Sequence, residues 1–357
     1  MKKLLKEYWI LIVILAIPYL FIVVSSMVKV KYDLTAPAAI TEVGENIEIS
    51  NSKRTNVHSV SVYSYSNVSF LSYLFGKMNP YATIDKTYEY QITNNQIEYH
   101  SGLIQKEVSI YNAIIAGYQK AGITEIVDEN SFQGYIIHTL YTFSPKELKV
   151  GDIIKSFNGV EFTTCTPDNE FSKVCGELVY EKGKAYSITV DREGQILSFE
   201  ITPRATNKES TKPVFGISTY ALNKPVLFDK NNQYYYECNY GNSIGPSAGL
   251  MQSLYVYEKL TGNRLTSNLK IVGTGTVDMF GHAGAIGGIY QKVITANLSG
   301  ADIFFVPVSS MDPNIYKEES NYQEAYASYQ NLKHTKMKLV PVSSLDDIID
   351  YLKVGKE

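Results

Sequence analysis

The chain has 357 residues, of which 45% are hydrophobic, and a formal net charge of −3. That length can hold two domains and a membrane segment, each domain with a sizeable core, and the near-neutral balance lacks the basic excess of nucleic-acid binders. No glycine-rich loop ends in Lys-Ser or Lys-Thr, which excludes a P-loop nucleotide site and with it an ATP partner.

Lys2, Lys3 and Lys6 precede an uncharged apolar run from Trp9 to Val28, close to the ~20 residues needed to span a bilayer. The lysines ahead of the run outweigh Lys29 and Lys31 behind it, which favours a cytoplasmic N-terminus with the rest of the chain outside. Residues 1–30 are therefore expected to be a cytoplasmic tip and a transmembrane helix of a single-pass protein of the cell membrane. The alternative is a cleaved signal peptide, for which Val24-Ser25-Ser26 is a poor cleavage site.

Residues 31–123 read as an N-terminal extracytoplasmic region. Tyr32 to about Arg54 is an extended lead-in with a turn at Gly44-Glu45-Asn46, and Asn56 to Tyr65 alternates with the period of a strand. Between about Ser101 and Ala121, Ile104, Val108, Ile114, Ile115 and Tyr118 recur at helical spacing. The spacing predicts a surface helix packing on the next domain, with a substrate-steering element near the membrane as the functional alternative.

From 124 to 203 the chain carries Gly134-Tyr135-Ile136-Ile137, then Leu148-Lys149-Val150-Gly151-Asp152-Ile153-Ile154 and Phe157-Asn158-Gly159-Val160. Asn158-Gly159 is a two-residue hairpin signal, and Asp168 suits the N-cap of a helix starting near Glu170. Two strands follow, hinged at Arg192-Glu193-Gly194. This stretch resembles a PDZ domain, with Gly134–Ile137 as the carboxylate-loop strand. The resemblance implies capture of an extended peptide as an added strand on a sheet edge. Phe143–Glu147 is short for the small helix that usually precedes the Val-Gly-Asp motif.

Residues 204–213 are polar and read as a linker. Beyond them, Gly245-Pro246-Ser247-Ala248-Gly249 opens a helical stretch, Gly273-Thr274-Gly275-Thr276-Val277 forms a turn, and Ile286-Gly287-Gly288 leads into a second helix carrying Lys292. A serine in a glycine-flanked turn needs a base to become a nucleophile. Lysine serves only when neutral, and the apolar neighbours Ile286, Ile289, Val293 and Ile294 are suited to lowering its pKa. Among the histidines no pair has metal-ligand spacing, so neither a metal nor a cofactor is expected. His282 reads as a polar group of a turn. Cys165 and Cys175 are candidates for an extracytoplasmic disulfide, with free thiols an equal alternative. The 29 tyrosines, several in runs such as Tyr234-Tyr235-Tyr236, read as strand packing.

These motifs, with Leu260-Thr261-Gly262, Gly300-Ala301 and the closing Val340-Pro341-Val342-Ser343, resemble the proteolytic domain of Lon-type serine proteases over residues 214–357. The whole chain is similar to the membrane-anchored, PDZ-containing bacterial branch of that family. The resemblance implies an α/β and α+β multidomain protein: an N-terminal transmembrane helix, a PDZ-like β-rich domain and a C-terminal Lon-type α/β proteolytic domain. It implies Ser247 as nucleophile, Lys292 as base and Thr274 as the residue contacting the lysine. Tyr290 stands where many Lon enzymes have a first lysine, and extra residues lie between Gly262 and Gly273. The expected activity is ATP-independent cleavage of extracytoplasmic peptides or proteins. The expected partners are such a substrate, the lipid bilayer and, since Lon domains form rings, other copies of the chain. A catalytically silent scaffold binding peptide termini at the membrane surface is the alternative.

Overall fold

A computed structural model describes residues 2–49, 56–92, 94–164, 171–176, 183–204, 214–241, 243–262, 265–266 and 269–354, without the side chains of 2–6. The expected helix cap at Asp168, the Cys165–Cys175 pairing and most of the linker at 204–213 lie outside the described residues. The chain opens with α1 (Lys2–Met27), apolar on all sides, exposed along almost its whole length, and carrying Pro18. Ser25 and Ser26 turn their hydroxyls back onto Phe21 O and Val23 O at 2.6 and 2.7 Å, which satisfies them without water.

Three strands follow, β1 (Tyr32–Glu42), β2 (Ile47–Ile49) and β3 (Val57–Tyr65), then α2 (Phe70–Met78), β4 (Thr83–Lys86) and the long α3 (Asn95–Lys120). Asn94 starts α3 by accepting from the N–H groups of Gln96 and Ile97, the donors that helix geometry leaves unpaired. Next come β5 (Phe132–Leu140), β6 (Ile153–Phe157), β7 (Val160–Glu161), α4 (Phe171–Gly176), β8 (Tyr186–Arg192), β9 (Gln195–Ile201) and β10 (Ile217–Asn223). The last third holds β11 (Tyr236–Cys238), α5 (Gly249–Thr261), β12 (Ile271–Gly273), β13 (Thr276–Val277), β14 (Ala283–Gly284) and α6 (Ile289–Leu298). It ends with β15 (Ile303–Pro307), α7 (Pro313–Tyr316), α8 (Ser320–Gln330), β16 (Lys338–Val342) and α9 (Leu345–Val354).

The fold is mixed α/β. One sheet has the order β16-β15-β12-β3-β1-β4, parallel from β16 to β3 and antiparallel from β3 to β4. Pro341 is tolerated in β16 because that strand is at the edge. Strands from 32–86 thus share a sheet with strands from 271–342. The N-terminal region read as a separate stretch at 31–123 contributes half the strands of the sheet that the C-terminal block completes. A second, antiparallel sheet has the order β10-β5-β6-β8-β9, with β7 paired to β6 through a turn in which Asn158 and Gly159 both have positive φ.

Two features differ from the sequence reading. The helix at 101–121 is not a surface helix: α3 runs through the centre, its Ile110, Ile114 and Tyr118 packing with Leu250, Leu254 and Val256 of α5 in one core. Its Ile104 and Val108 face Ile136 of β5 and Leu222 of β10 in another cluster. The second difference concerns β5, which contains Gly134–Ile137. It is flanked on both sides, by β6 and by β10 in antiparallel register from Ile217↔Leu140 to Asn223↔Phe132. The edge at which an added peptide strand was expected is already filled by the chain's own β10.

Candidate active site

Ser247 lies in the turn between the β11 region and α5. Gly245, at φ +91°, takes a left-handed conformation there that disfavours other residues. The Ser247 carbonyl is fixed from the far side of the fold, accepting from Gly275 N at 2.9 Å and from Thr274 Oγ1 at 3.0 Å. The helix that follows closes tightly on its neighbours: a Cβ on Gly249 would sit 2.4 Å from Ser109 Oγ. Ala248 caps α5 without a side-chain hydrogen bond. Among the described residues, nothing accepts from the N–H groups of Ser247 and Ala248, and the Ser247 hydroxyl has no partner.

Lys292 enters the same region on α6, whose N-cap Gly288 is left-handed at φ +68°. Lys292 is 2% exposed, on the helix that contributes Ile289, Val293 and Ala296 to an apolar cluster with Val60. Burial alone pushes its pKa down from 10.5 to about 7, because an ammonium there forgoes hydration without a carboxylate in return. Its Nζ donates to Thr274 Oγ1 at 3.2 Å. Thr274 is fully buried and therefore joins the amine to the backbone of Ser247 through one hydroxyl. The Lys292 amine does not hydrogen-bond the Ser247 hydroxyl directly among the described residues.

Ser247 opens onto a small pocket of about 50 Å³ whose walls include Thr41, Ser59, Ser61, Lys106 and Ser243. The local motifs around Ser247 and Lys292 do not reveal this wall, because it comes from strands and a helix far back in the chain. A larger cavity of about 490 Å³ lies between α3, β10 and the β13–β14 hairpin, and touches Pro246. His282 lies on that side, exposed, its Nδ1 2.8 Å from Asp278 Oδ2 while Asp278 Oδ1 accepts from the N–H groups of 280 and 282. It is a polar group of a turn. Burial pushes the Cys238 thiol up to about 11 and that of Cys175 to about 12, which makes both poor nucleophiles. Among the described residues, no group of three or more His, Cys, Asp and Glu is placed to hold a metal ion.

No protein-family model matches the chain. Among characterised proteins, it is similar to the Lon protease of Aster yellows witches'-broom phytoplasma (strain AYWB), with 28% identity over 186 residues. That alignment covers 50% of this chain and 20% of the phytoplasma protein, so the chain matches about a fifth of that relative's length.

Proposed function

We propose that the chain is a membrane-anchored, ATP-independent serine endopeptidase in which Ser247 is the nucleophile, Lys292 the general base and Thr274 the residue that orients the lysine. The observation that carries this reading is the environment of Lys292. A buried lysine with its pKa near 7 and a neutral hydroxyl for a partner is suited to accepting a proton at ordinary pH. Its link through Thr274 to the Ser247 carbonyl supports a common role for the three residues.

In this mechanism the Ser247 Oγ–H proton passes to the neutral Lys292 amine as Oγ bonds to the substrate carbonyl carbon. The oxyanion of the tetrahedral intermediate is held by the N–H groups of Ser247 and Ala248 at the start of α5. As the C–N bond breaks, the Lys292 ammonium returns the proton to the leaving amine. Water, deprotonated by Lys292, then attacks the acyl-enzyme and releases the new carboxylate and Ser247. The apolar α1 supports an anchor, and the lysines ahead of it support an extracytoplasmic body. The second sheet supports a PDZ-like unit, but the presence of β10 on β5 disfavours peptide capture there, and with it the silent-scaffold reading.

A fluorophosphonate probe tests the proposal directly. It should label the full-length protein at Ser247, fail on Ser247→Ala, and label Lys292→Ala at least about a hundredfold more slowly, since the two residues act as a unit. Labelling of Ser247 at an unchanged rate in Lys292→Ala would remove the lysine from the mechanism.

A further inference from the structure

The described part of the stretch before α5, residues 240–241 and 243–247, has little secondary structure of its own, yet it must present the Ser247 hydroxyl reproducibly. It is held by one face of α3. Gly102 O accepts from Gly245 N at 2.9 Å. One turn on, Lys106 Nζ donates to Ser243 O at 3.0 Å, to Ser243 Oγ at 2.8 Å and to the Tyr240 carbonyl. A further turn on, Ser109 Oγ donates to Pro246 O at 2.8 Å. Positions 102, 106 and 109 differ by four and three, so they line one stripe of the helix.

Lys106 is the central contact. It is 4% exposed, and burial pulls its pKa down. The three oxygens around Nζ nevertheless match the three protons of the ammonium form. A lysine is an expensive residue to bury, and an apolar one would pack the same helix without that cost. All its described bonds go to the segment just before Ser247, and it shares the wall of the small pocket onto which Ser247 opens.

We infer that Lys106 is a positioning residue for Ser247, tying Tyr240 and Ser243 to α3 so that the nucleophile is held in its attacking geometry. The inference rests on the reading of Ser247 as the nucleophile. Because Ile104 and Val108 of the same helix pack on β5 and β10, the loop is thereby referenced to the second sheet as well as to α5.

The test uses the full-length protein in detergent with Lys106→Met, which keeps the stem and removes the charge. Amide exchange at Gly245, whose N–H donates to Gly102 O, should accelerate at least about tenfold while α5 and α9 keep their protection. With a short peptide substrate, kcat should fall about 10- to 100-fold with KM within about twofold of wild type. Ser243→Ala, which leaves the interior untouched, should lower kcat in the same direction, and its effect should be less than additive with Lys106→Met. Lys120→Met, on the same helix at its exposed end, should leave kcat unchanged. Unchanged exchange at Gly245, or faster exchange spread equally through α3 and α5, would overturn the inference. So would a loss confined to KM. The exchange measurement decides the loop's dependence on Lys106 even if the protein cleaves nothing. Failure of the fluorophosphonate labelling would instead count against the nucleophile assignment.

Discussion

An ammonium at Lys292 has Thr274 Oγ1 as its hydrogen-bond acceptor among the described residues, beside an apolar cluster. The cost of that burial and the proposed use of the amine as a base have the same origin, the preference for the neutral form. Two outcomes follow from a pKa brought from 10.5 to about 7. In kcat/KM against pH, the acid limb should fall near pH 7, because protonated Lys292 cannot take the Ser247 proton; Lys292→Arg, which cannot deprotonate, should be inactive throughout. An acid limb found only near pH 10 would remove the desolvated base. Stability should respond with the opposite bias to that of an ion-paired lysine. The folded pKa lies below the unfolded one, so the unfolded state binds more protons between about 7 and 10.5, and the native state gains stability as pH rises through that window. The cost is full below about pH 7 and vanishes above about 10.5. At about 1.4 kcal/mol per pH unit, it is bounded at roughly 5 kcal/mol. Lys292→Met should therefore be inactive yet more resistant to urea at pH 6, with the advantage shrinking by pH 10; equal midpoints at both values would contradict it.

At the scale of elements, the crossing of α3 and α5 sets the position of the site. A Cβ on Gly117 would lie 2.5 Å from Val256 Cγ1 and 3.0 Å from Ser253 O, so the helices approach more closely than any side chain at 117 allows. Gly117→Val should therefore cost about 1–3 kcal/mol through overpacking, read as a lower urea midpoint, and a neutral result would mean that the helices part easily. This crossing was not legible in the sequence. Ile104 and Val108 serve one face of α3 and Ile110, Ile114 and Tyr118 another, whereas a periodicity argument looks for a single apolar stripe. The alternation at 57–65 was legible because β3 buries one side near its start, but its parallel pairing with β12 was not. No local pattern records a partner more than two hundred residues away. The site divides in the same way. Ser247 and Lys292 are nominated by short glycine-led strings and Thr274 by the family resemblance, and the structure gathers them around one threonine hydroxyl. Lys106 and Ser109 reach the same loop from a distant helix, so only the folded topology reveals them.

For the whole molecule, the consequential feature is how directly α1 joins the body. Val30 N donates to Val68 O at 2.9 Å and Phe70 N to Val28 O at 2.8 Å, so the helix passes into the β1 region without a free spacer. An apolar helix exposed on every side finds no protein core to cover it, and a bilayer would supply that cover. Beside its end, α2 leaves Phe75 and Met78 at 63% and 78% exposure, with Lys77 between them. Apolar side chains next to a lysine suit the level of lipid headgroups. A body tied this closely to α1 would rest on the membrane surface, on the side opposite Lys2, Lys3 and Lys6 if the positive-inside bias governs insertion. The expected outcome is that a protease added to cells stripped of their wall digests the body while a cytoplasmic marker survives. In inverted vesicles, the body should be protected until detergent is added. Replacing Lys2, Lys3 and Lys6 with glutamine should weaken the orientation and give a mixed population, because the remaining bias from Lys29 and Lys31 points the other way. Protection in stripped cells with digestion in inverted vesicles would place the body in the cytoplasm. Release of a soluble body lacking α1 would instead identify that helix as a cleaved signal sequence.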